Sequence, residues 1–422
     1  MALPVKATIT LVGEGVIPAT ATDQSRLTGL LEDGQTRRNQ IGGLGGAISY
    51  SGFGERYYAV PDRGPGAGET SYIERIYRLD IHLTRIDADH YHIQPRVTRT
   101  QLMRTEDGRL FTGYAGAFDA TQSPASLRMD AESIRVGKCG DTVYVSEEYG
   151  PFLYEFDLAS GRRIRSLPIP IKFLIDFPAA TAEEELEKNL TGRQTNRGLE
   201  GLAITPDGHR LVAILQDPLL QDSAFGSEHK PVGVANRLLD LNLETGDLRE
   251  YVYLLESPEN GVSEILAINE HEFLVLERDT RSGAAARFKK IFRIDLGAAS
   301  NVRAVKSLPI NGASVLASME HQDIVPAAKT LFLDLLQAGI HDMPEKMEGL
   351  TFGPDLEDGR HLLIISSDND FSPIEPTRIF VFAVGAEDLP GYSPQRFLSD
   401  HDPSCVRGSH KHSKKQPGQG IQ

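Results

Sequence analysis

Residues 197–217, RGLEGLAITPDGHRLVAILQD, decide the fold. Glu200 opens a β-like run, Pro206-Asp207-Gly208-His209 makes a turn, and Asp217 closes the returning run. Antiparallel strands joined by a tight turn set residues equidistant from that turn side by side. Glu200 and Asp217 are therefore expected together, at the end of the hairpin remote from its turn. The arrangement recurs in IGGLGGAISY…YYAVPDRG (41–64), DAESIRV…TVYVSEEYGP (130–151), GVSEILAI…EFLVLERD (261–279) and EKMEGLTF…HLLIISSDND (345–370). In these units Asp62 lies opposite Gly45, Glu132 opposite Glu147, Glu264 opposite Glu277, and Glu348 opposite Asp368.

A period of roughly 40–60 residues built from short strands marks a propeller or another radial repeat. Each unit continues into a third run of alternating character: RIYRLDIHL, FLYEFDL, NRLLDLNL, KIFRIDL and TRIFVFAV. Alternation fits half-buried antiparallel strands. Fourth strands are expected in HIQPRVTRTQL, RRIRSLPIP, LREYVYLL and VRAVKSLPI. The fifth unit lacks one, and the N-terminal KATITLVGEGVIP is expected to supply it, closing the ring and removing exposed edges. The fold expected is all-β: a β-propeller of four-stranded antiparallel blades, five or six in number. It forms one domain over residues 1–399, followed by a disordered polar tail over 400–422. Two short helices are expected in the insertions. One is TAEEELEKNL, with a Thr cap; the other is AAKTLFLDLLQAG, ending at Gly339.

The net charge of −15 argues against nucleic acid as a partner and suits cation binding. No apolar run reaches the 18 residues of a membrane span. The opening MALPVKATIT lacks a signal peptide's apolar core, so the chain reads as cytoplasmic or as the mature form of an exported protein. Cys139 and Cys405 allow one disulfide, which would not be the framework of the fold.

If the hairpins are radial, their acidic ends share one axial mouth. Glu132, Glu200, Glu264 and Glu348, each on the inner strand of its unit, are the expected metal ligands. Carboxylates from several blades suit a divalent cation, Ca²⁺ first and Mn²⁺ or Mg²⁺ next. The plain alternative is that these acids pair with Arg from neighbouring blades. Asp62, Arg63, Glu147, Glu277, Arg278 and Asp368, at the ends of the second strands, are the expected catalytic set. Arg63 and Arg278 suit an anionic ester, because a guanidinium grips phosphate or carboxylate bidentately. Only one of the adjacent Glu147 and Glu148 can face the axis, and spacing favours Glu147. There is no G-x-S-x-G elbow, P-loop or dinucleotide fingerprint.

GGLGG…VPDRG, DAESI…VSEEYGPFLYEFD, NRGLEGLAITPDG, GVSEI…LVLERD and KMEGLTF…SSDND, in this order, resemble the phytase-like esterase family, "esterase-like activity of phytase", over roughly residues 40–385. The resemblance implies a β-propeller hydrolase with metal-dependent phosphoesterase or esterase activity, periplasmic or secreted. The expected partner is a small anionic ester, met by a monomer. A lactonase-type metal propeller and a non-catalytic propeller that holds a ligand or ion are the alternatives.

Overall fold

The computed structural model describes residues 9–118, 126–225, 230–308, 324–398, 402 and 405. Its strands form five four-stranded antiparallel sheets arranged as blades. A first strand, β1 (Ile9–Ile17), belongs to the last blade. Blade one is β2 (Ala47–Tyr50), β3 (Arg56–Val60), β4 (Arg75–Arg85) and β5 (Tyr91–Leu102). Blade two is β6 (Ala131–Val136), β7 (Thr142–Glu147), β8 (Leu153–Asp157) and β9 (Arg163–Ser166). Blade three begins with β10 (Leu199–Ile204) and β11 (Arg210–Leu215). A small hairpin, β12 (Ala224–Phe225) and β13 (Pro231–Val232), precedes its outer strands β14 (Ala235–Asn242) and β15 (Leu248–Leu254). Blade four is β16 (Gly261–Ala267), β17 (Glu272–Arg278), β18 (Lys289–Asp295) and β19 (Ala328–Asp334). Blade five is β20 (Lys346–Phe352), β21 (His361–Asp368) and β22 (Thr377–Val384), and β1 completes it, running antiparallel to β22 from Ile9↔Val384 to Ile17↔Thr377.

The ring is held by what lies between blades. Five apolar clusters each join one neighbouring pair. Ile48 and Tyr77 of blade one meet Ile364 and Val381 of blade five. Ile134 and Val145 of blade two meet Ala47 and Val60 of blade one. Leu202 and Leu211 meet Tyr144 and Leu153, Val275 meets Val212, and Leu276 meets Ile365. Each inner strand is buried on both faces, which explains why the hairpins read as near-continuous apolar runs. Connections at one end of the ring are tight turns except in blade four, where β18 and β19 are separated by 32 residues. At the other end, where the inner strands begin, lie the long segments 18–46, 61–74 and 167–198. These wall the acidic mouth.

The helix α1 (Ala182–Lys188) forms as expected, its Thr181 hydroxyl accepting the Glu184 N–H at 3.3 Å. The second expected helix is instead β19, the outermost strand of blade four, followed by one 3₁₀ turn at Leu335–Gln337. The segment 302–308, expected as that strand, holds no strand among the described residues. Pro309 and Ile310, and the tail apart from Asp402 and Cys405, lie outside the described residues. Cys139 and Cys405 form a disulfide with Cα atoms 5.5 Å apart.

Candidate functional site

The mouth is built by a repeated irregularity. The inner strands skip one residue in their pairing, between Ala131 and Ser133, Leu199 and Gly201, and Met347 and Gly349. The bulged residues are Glu132, Glu200 and Glu348. A bulge re-aims a side chain that the pleat would otherwise bury between sheets. In blade four the skip falls between Val262 and Glu264, so the bulged residue is Ser263.

That one-residue offset moves Glu264. It was expected beside the other three glutamates; it lies one step further into the ring, opposite Leu276. There it accepts from the Ser133 hydroxyl at 2.8 Å, from Leu202 N–H at 2.9 Å and from Ile265 N–H at 3.0 Å, and pairs with Arg135 at 2.9 Å. Burial pushes its carboxyl up to about 7.

Two other placements differ from expectation. Glu147 turns away from the axis and accepts the N–H groups of Tyr149, Gly150 and Phe152, at 3.1, 2.5 and 3.1 Å, so it caps its own loop. Its neighbour Glu148 is the one that reaches the mouth, 3.4 Å from Arg63. Glu277 is sequestered between blades three and four, bonded to Tyr253 Oη (2.7 Å), Asn260 Nδ2 (2.8 Å) and Lys329 Nζ (2.9 Å).

Asp62, Arg63, Arg278 and Asp368 do meet at the mouth with Glu132, Glu200 and Glu348. Arg63 pairs with Asp130, whose other oxygen accepts the Arg63 N–H at 2.9 Å. Arg278 donates to the Ser263 hydroxyl at 2.9 Å and pairs with Glu348. Lys346 sits among Asp62, Asp368 and Asp370, at 3.5, 3.2 and 3.2 Å. Glu200 accepts from Gln216 Nε2 at 2.7 Å through one oxygen; its other oxygen is buried without a hydrogen-bond partner.

Asp130, Glu132 and Glu148 each offer an oxygen within 4.8 Å of the others, as do Asp62, Asp368 and Asp370. The second set already holds the Lys346 ammonium. In the first set Arg63 engages Asp130 and Glu148, and Glu132 hydrogen-bonds Asp130. Burial, and then the charges of Glu200, Asp130 and Glu148, hold the Glu132 carboxyl well above the usual range. Burial, then Glu148 and Glu348, do the same to Glu200. Burial, then Asp130, brings Glu148 to about 7. Burial, then Asp368, raises Asp62 well above the carboxylate range, and burial raises Asp368. Burial alone would raise Asp130 too, but the Arg63 guanidinium overcomes it and holds that carboxyl low. So many carboxylates with so few cations will hold protons or bind a cation.

Sequence reasoning passed over Asp130 and Lys346, and it preferred Glu147 to Glu148 as the acid facing the axis. Asp130 stands in the quoted DAESI, two residues before Glu132, and Lys346 two before Glu348. Both lie at the mouth end of an inner strand, and that shared offset is the signal that would have found them.

The family described as "Phytase-like: Esterase-like activity of phytase" matches residues 39–371. An "Uncharacterized secreted protein" of Arthroderma benhamiae is 26% identical over 344 residues, 66% of this chain and 64% of that protein. The chain thus spans just under two thirds of that relative's length. Among solved structures, Myxococcus xanthus glutaminyl cyclase is similar at TM-score 0.34 and 10% identity, covering 89% of this chain and 97% of that one. A putative 6-phosphogluconolactonase from Bacteroides uniformis is similar at TM-score 0.33 and 10% identity, covering 79% and 83%. At these scores neither likeness bears on function.

Proposed function

We propose, from the premise that this chain belongs to the phytase-like family, that it hydrolyses phosphoesters or related esters at the acidic mouth with a divalent cation. The observation that carries the reading is the Asp130, Glu132 and Glu148 set, with the partnerless oxygen of Glu200 beside it. An all-oxygen donor set fits a hard cation, Ca²⁺ first, with Mn²⁺ or Mg²⁺ as alternatives. Asp130, Glu132, Glu148 and Glu200 would hold it. A bound cation supplies Lewis acidity toward a phosphoryl or carbonyl oxygen and lowers the pKa of a bound water.

The chain's own residues do the positioning. Arg63 is anchored by Asp130 and Glu148, and Arg278 by Ser263 and Glu348, so both guanidiniums are oriented before substrate arrives. Two fixed cationic heads flanking the carboxylates favour an anionic ester over a neutral one. Lys346, tied to Asp62 and Asp368, adds a third positive charge on the blade-five side.

The substrate we propose is a small molecule, and the protein acts as a monomer. The disulfide and the secreted relative support an exported location, since such bonds persist in oxidising compartments.

The test is a panel of phosphomonoesters, phosphodiesters, phosphotriesters, carboxyl esters and lactones, assayed with chelator and with added Ca²⁺ or Mn²⁺. Phosphoester turnover abolished by chelator is the expected result. Turnover of lactones alone would replace the substrate class, and no turnover with any metal would leave a binding propeller.

A further inference from the structure

Three cations of the mouth are already committed. The Arg63 and Arg278 side chains are 13% and 8% exposed, held by Asp130 with Glu148 and by Ser263 with Glu348. Lys346 lies among three carboxylates. Arg197, just before β10, differs. Its side chain is 37% exposed, and among the described residues it makes a single ion pair, with Asp217 at 3.2 Å. A guanidinium carries five N–H donors in a planar fork, so most of those on Arg197 remain for a ligand.

The chain fixes Arg197 at the candidate cation set. Its backbone N–H donates to Gln194 O at 3.1 Å, closing a tight turn in which Asn196 takes a left-handed φ of 53°. Asn tolerates that conformation better than most residues. Gln194 is buried and donates to the carbonyl of Pro218, the residue after Asp217, at 2.7 Å, which pins the turn. The following Gly198 lies against the Glu148 backbone, where an added Cβ would come within 2.1 Å of Glu148 O. On the blade-four side, a Cβ on Gly261 would lie 3.5 Å from Arg197 Nη1, and Gly261 is the residue paired with Arg278 across β16 and β17. Arg197 thus reaches from Glu148 toward Arg278. Burial raises the Glu148 and Glu200 carboxyls, and the Arg197 charge works against that rise in both. A surface arginine paired with one acid needs no function. What sets Arg197 apart is a rigid turn that holds its backbone on a carboxylate of the cation set while its head stays accessible.

We infer that Arg197 is the residue that grips the substrate's anionic group, exchanging its pairing with Asp217 for a bidentate contact beside the cation set. The inference rests on hydrolysis at the mouth as proposed above. The class it selects is a phosphomonoester or phosphodiester, whose non-bridging oxygens share a negative charge, over a phosphotriester or a neutral carboxyl ester.

The probe is inorganic phosphate, titrated calorimetrically into chelator-treated protein so that no metal holds the anion. Saturable binding is expected. Arg197→Ala should weaken it at least about tenfold, the scale of a lost hydrogen bond to a charged group. Arg197→Lys, which keeps the charge without the fork, should fall between the two. Asp217→Asn frees the guanidinium and should tighten binding severalfold, which a merely structural pair would not do. In turnover, Arg197→Ala should raise KM at least about tenfold more for a phosphodiester than for a neutral carboxyl ester. No phosphate binding by the native protein, equal binding by Arg197→Ala, weaker binding by Asp217→Asn, or an equal change in KM for both esters would overturn the inference. Phosphate bound as expected with no ester turned over would support the anion site and overturn only the hydrolysis.

Discussion

Arg135 of the second blade and Glu264 of the fourth meet inside the ring 2.9 Å apart, with side chains 3% and 0% exposed. The pair engages every inner strand. Arg135 donates to the carbonyls of Ile48 (2.9 Å), Ile134 (2.7 Å), Ile265 (2.9 Å) and Leu350 (3.2 Å), and Glu264 accepts from Leu202 N–H. Removing one partner of a buried ion pair leaves the other charge uncompensated, at a cost of about 3–5 kcal/mol. Glu264→Gln keeps the shape, and its effect in urea titration should depend on pH. Relative to wild type the variant should be less stable at pH 5 than at pH 8, because the native carboxyl, raised to about 7, costs the wild type stability as it ionises and the variant escapes that loss. A variant that compares worse with wild type at pH 8 than at pH 5 would contradict this.

The same reasoning gives the whole protein an unusual pH dependence. Burial places Glu147, Glu148 and Glu264 at about 7, and Glu132 and Glu200 well above the ordinary value of 4.5. From about 4.5 upward the native state therefore binds more protons than the unfolded chain, and stability falls as pH rises. The loss is complete for the first three groups once pH passes 7. Metal-free protein should melt several degrees higher at pH 5 than at pH 8. Added Ca²⁺ should reverse much of the difference at pH 8, since a cation favours the ionised set. A melting temperature that rises steadily from pH 5 to pH 8 without metal would contradict this.

The propeller was legible because its signal repeats: five inner hairpins with both faces buried, and a third strand recurring in pattern. The last blade's missing strand was legible by subtraction. What failed was local. Ala328–Asp334 is an outermost strand with Leu331 55% exposed, so the run AKTLFLD has no partner face to impose alternation and resembles a helix. Glu264 was misplaced because counting back from the turn assumes unbroken pairing, and the bulge at Ser263 rather than at the glutamate shifts the count by one. Glu147 and Glu148 were exchanged for a related reason. Which of two adjacent acids faces the axis depends on how the strand ends, and Glu147 is diverted by three N–H groups of its own loop.

Glu147→Gln and Glu148→Gln should therefore separate. Glu147→Gln weakens the cap on residues 149–152 and should cost about 1–3 kcal/mol of stability with metal content retained. Glu148→Gln should leave stability nearly unchanged or raise it, while metal content falls. Metal analysis beside thermal melts reads both. Equal metal loss in the two variants would refute the distinction.

The Cys139–Cys405 bond closes a separation of 266 residues. Disulfides typically stabilise by about 2–4 kcal/mol, mainly by restricting the unfolded chain. Cys139→Ser should lower stability in that range, and reducing the native protein should reproduce the loss. Turnover at the mouth, on the far side of the ring, should persist at a temperature where both forms are folded. If reduction abolished turnover while melting stayed unchanged, the two ends of the ring would be coupled in a way these contacts do not explain.

Glu200 carries the sharpest expectation. It is a bulged mouth glutamate with an oxygen both buried and without a hydrogen-bond partner, while Gln216 holds the other at 2.7 Å. Glu348, by contrast, is neutralised by Arg278, and Glu132 hydrogen-bonds Asp130. Glu200→Gln preserves size and removes the charge. It should weaken metal affinity and turnover by at least about tenfold, the scale seen when a group supporting a metal site is lost. The melting temperature of the metal-free protein should hold or rise, because a buried, charge-crowded carboxyl has gone. Glu244→Gln, in an outer turn beside Lys138 and His209, should alter neither quantity. Unchanged metal content and turnover in Glu200→Gln would remove Glu200 from the cation site and leave its buried oxygen as a feature of the ring alone.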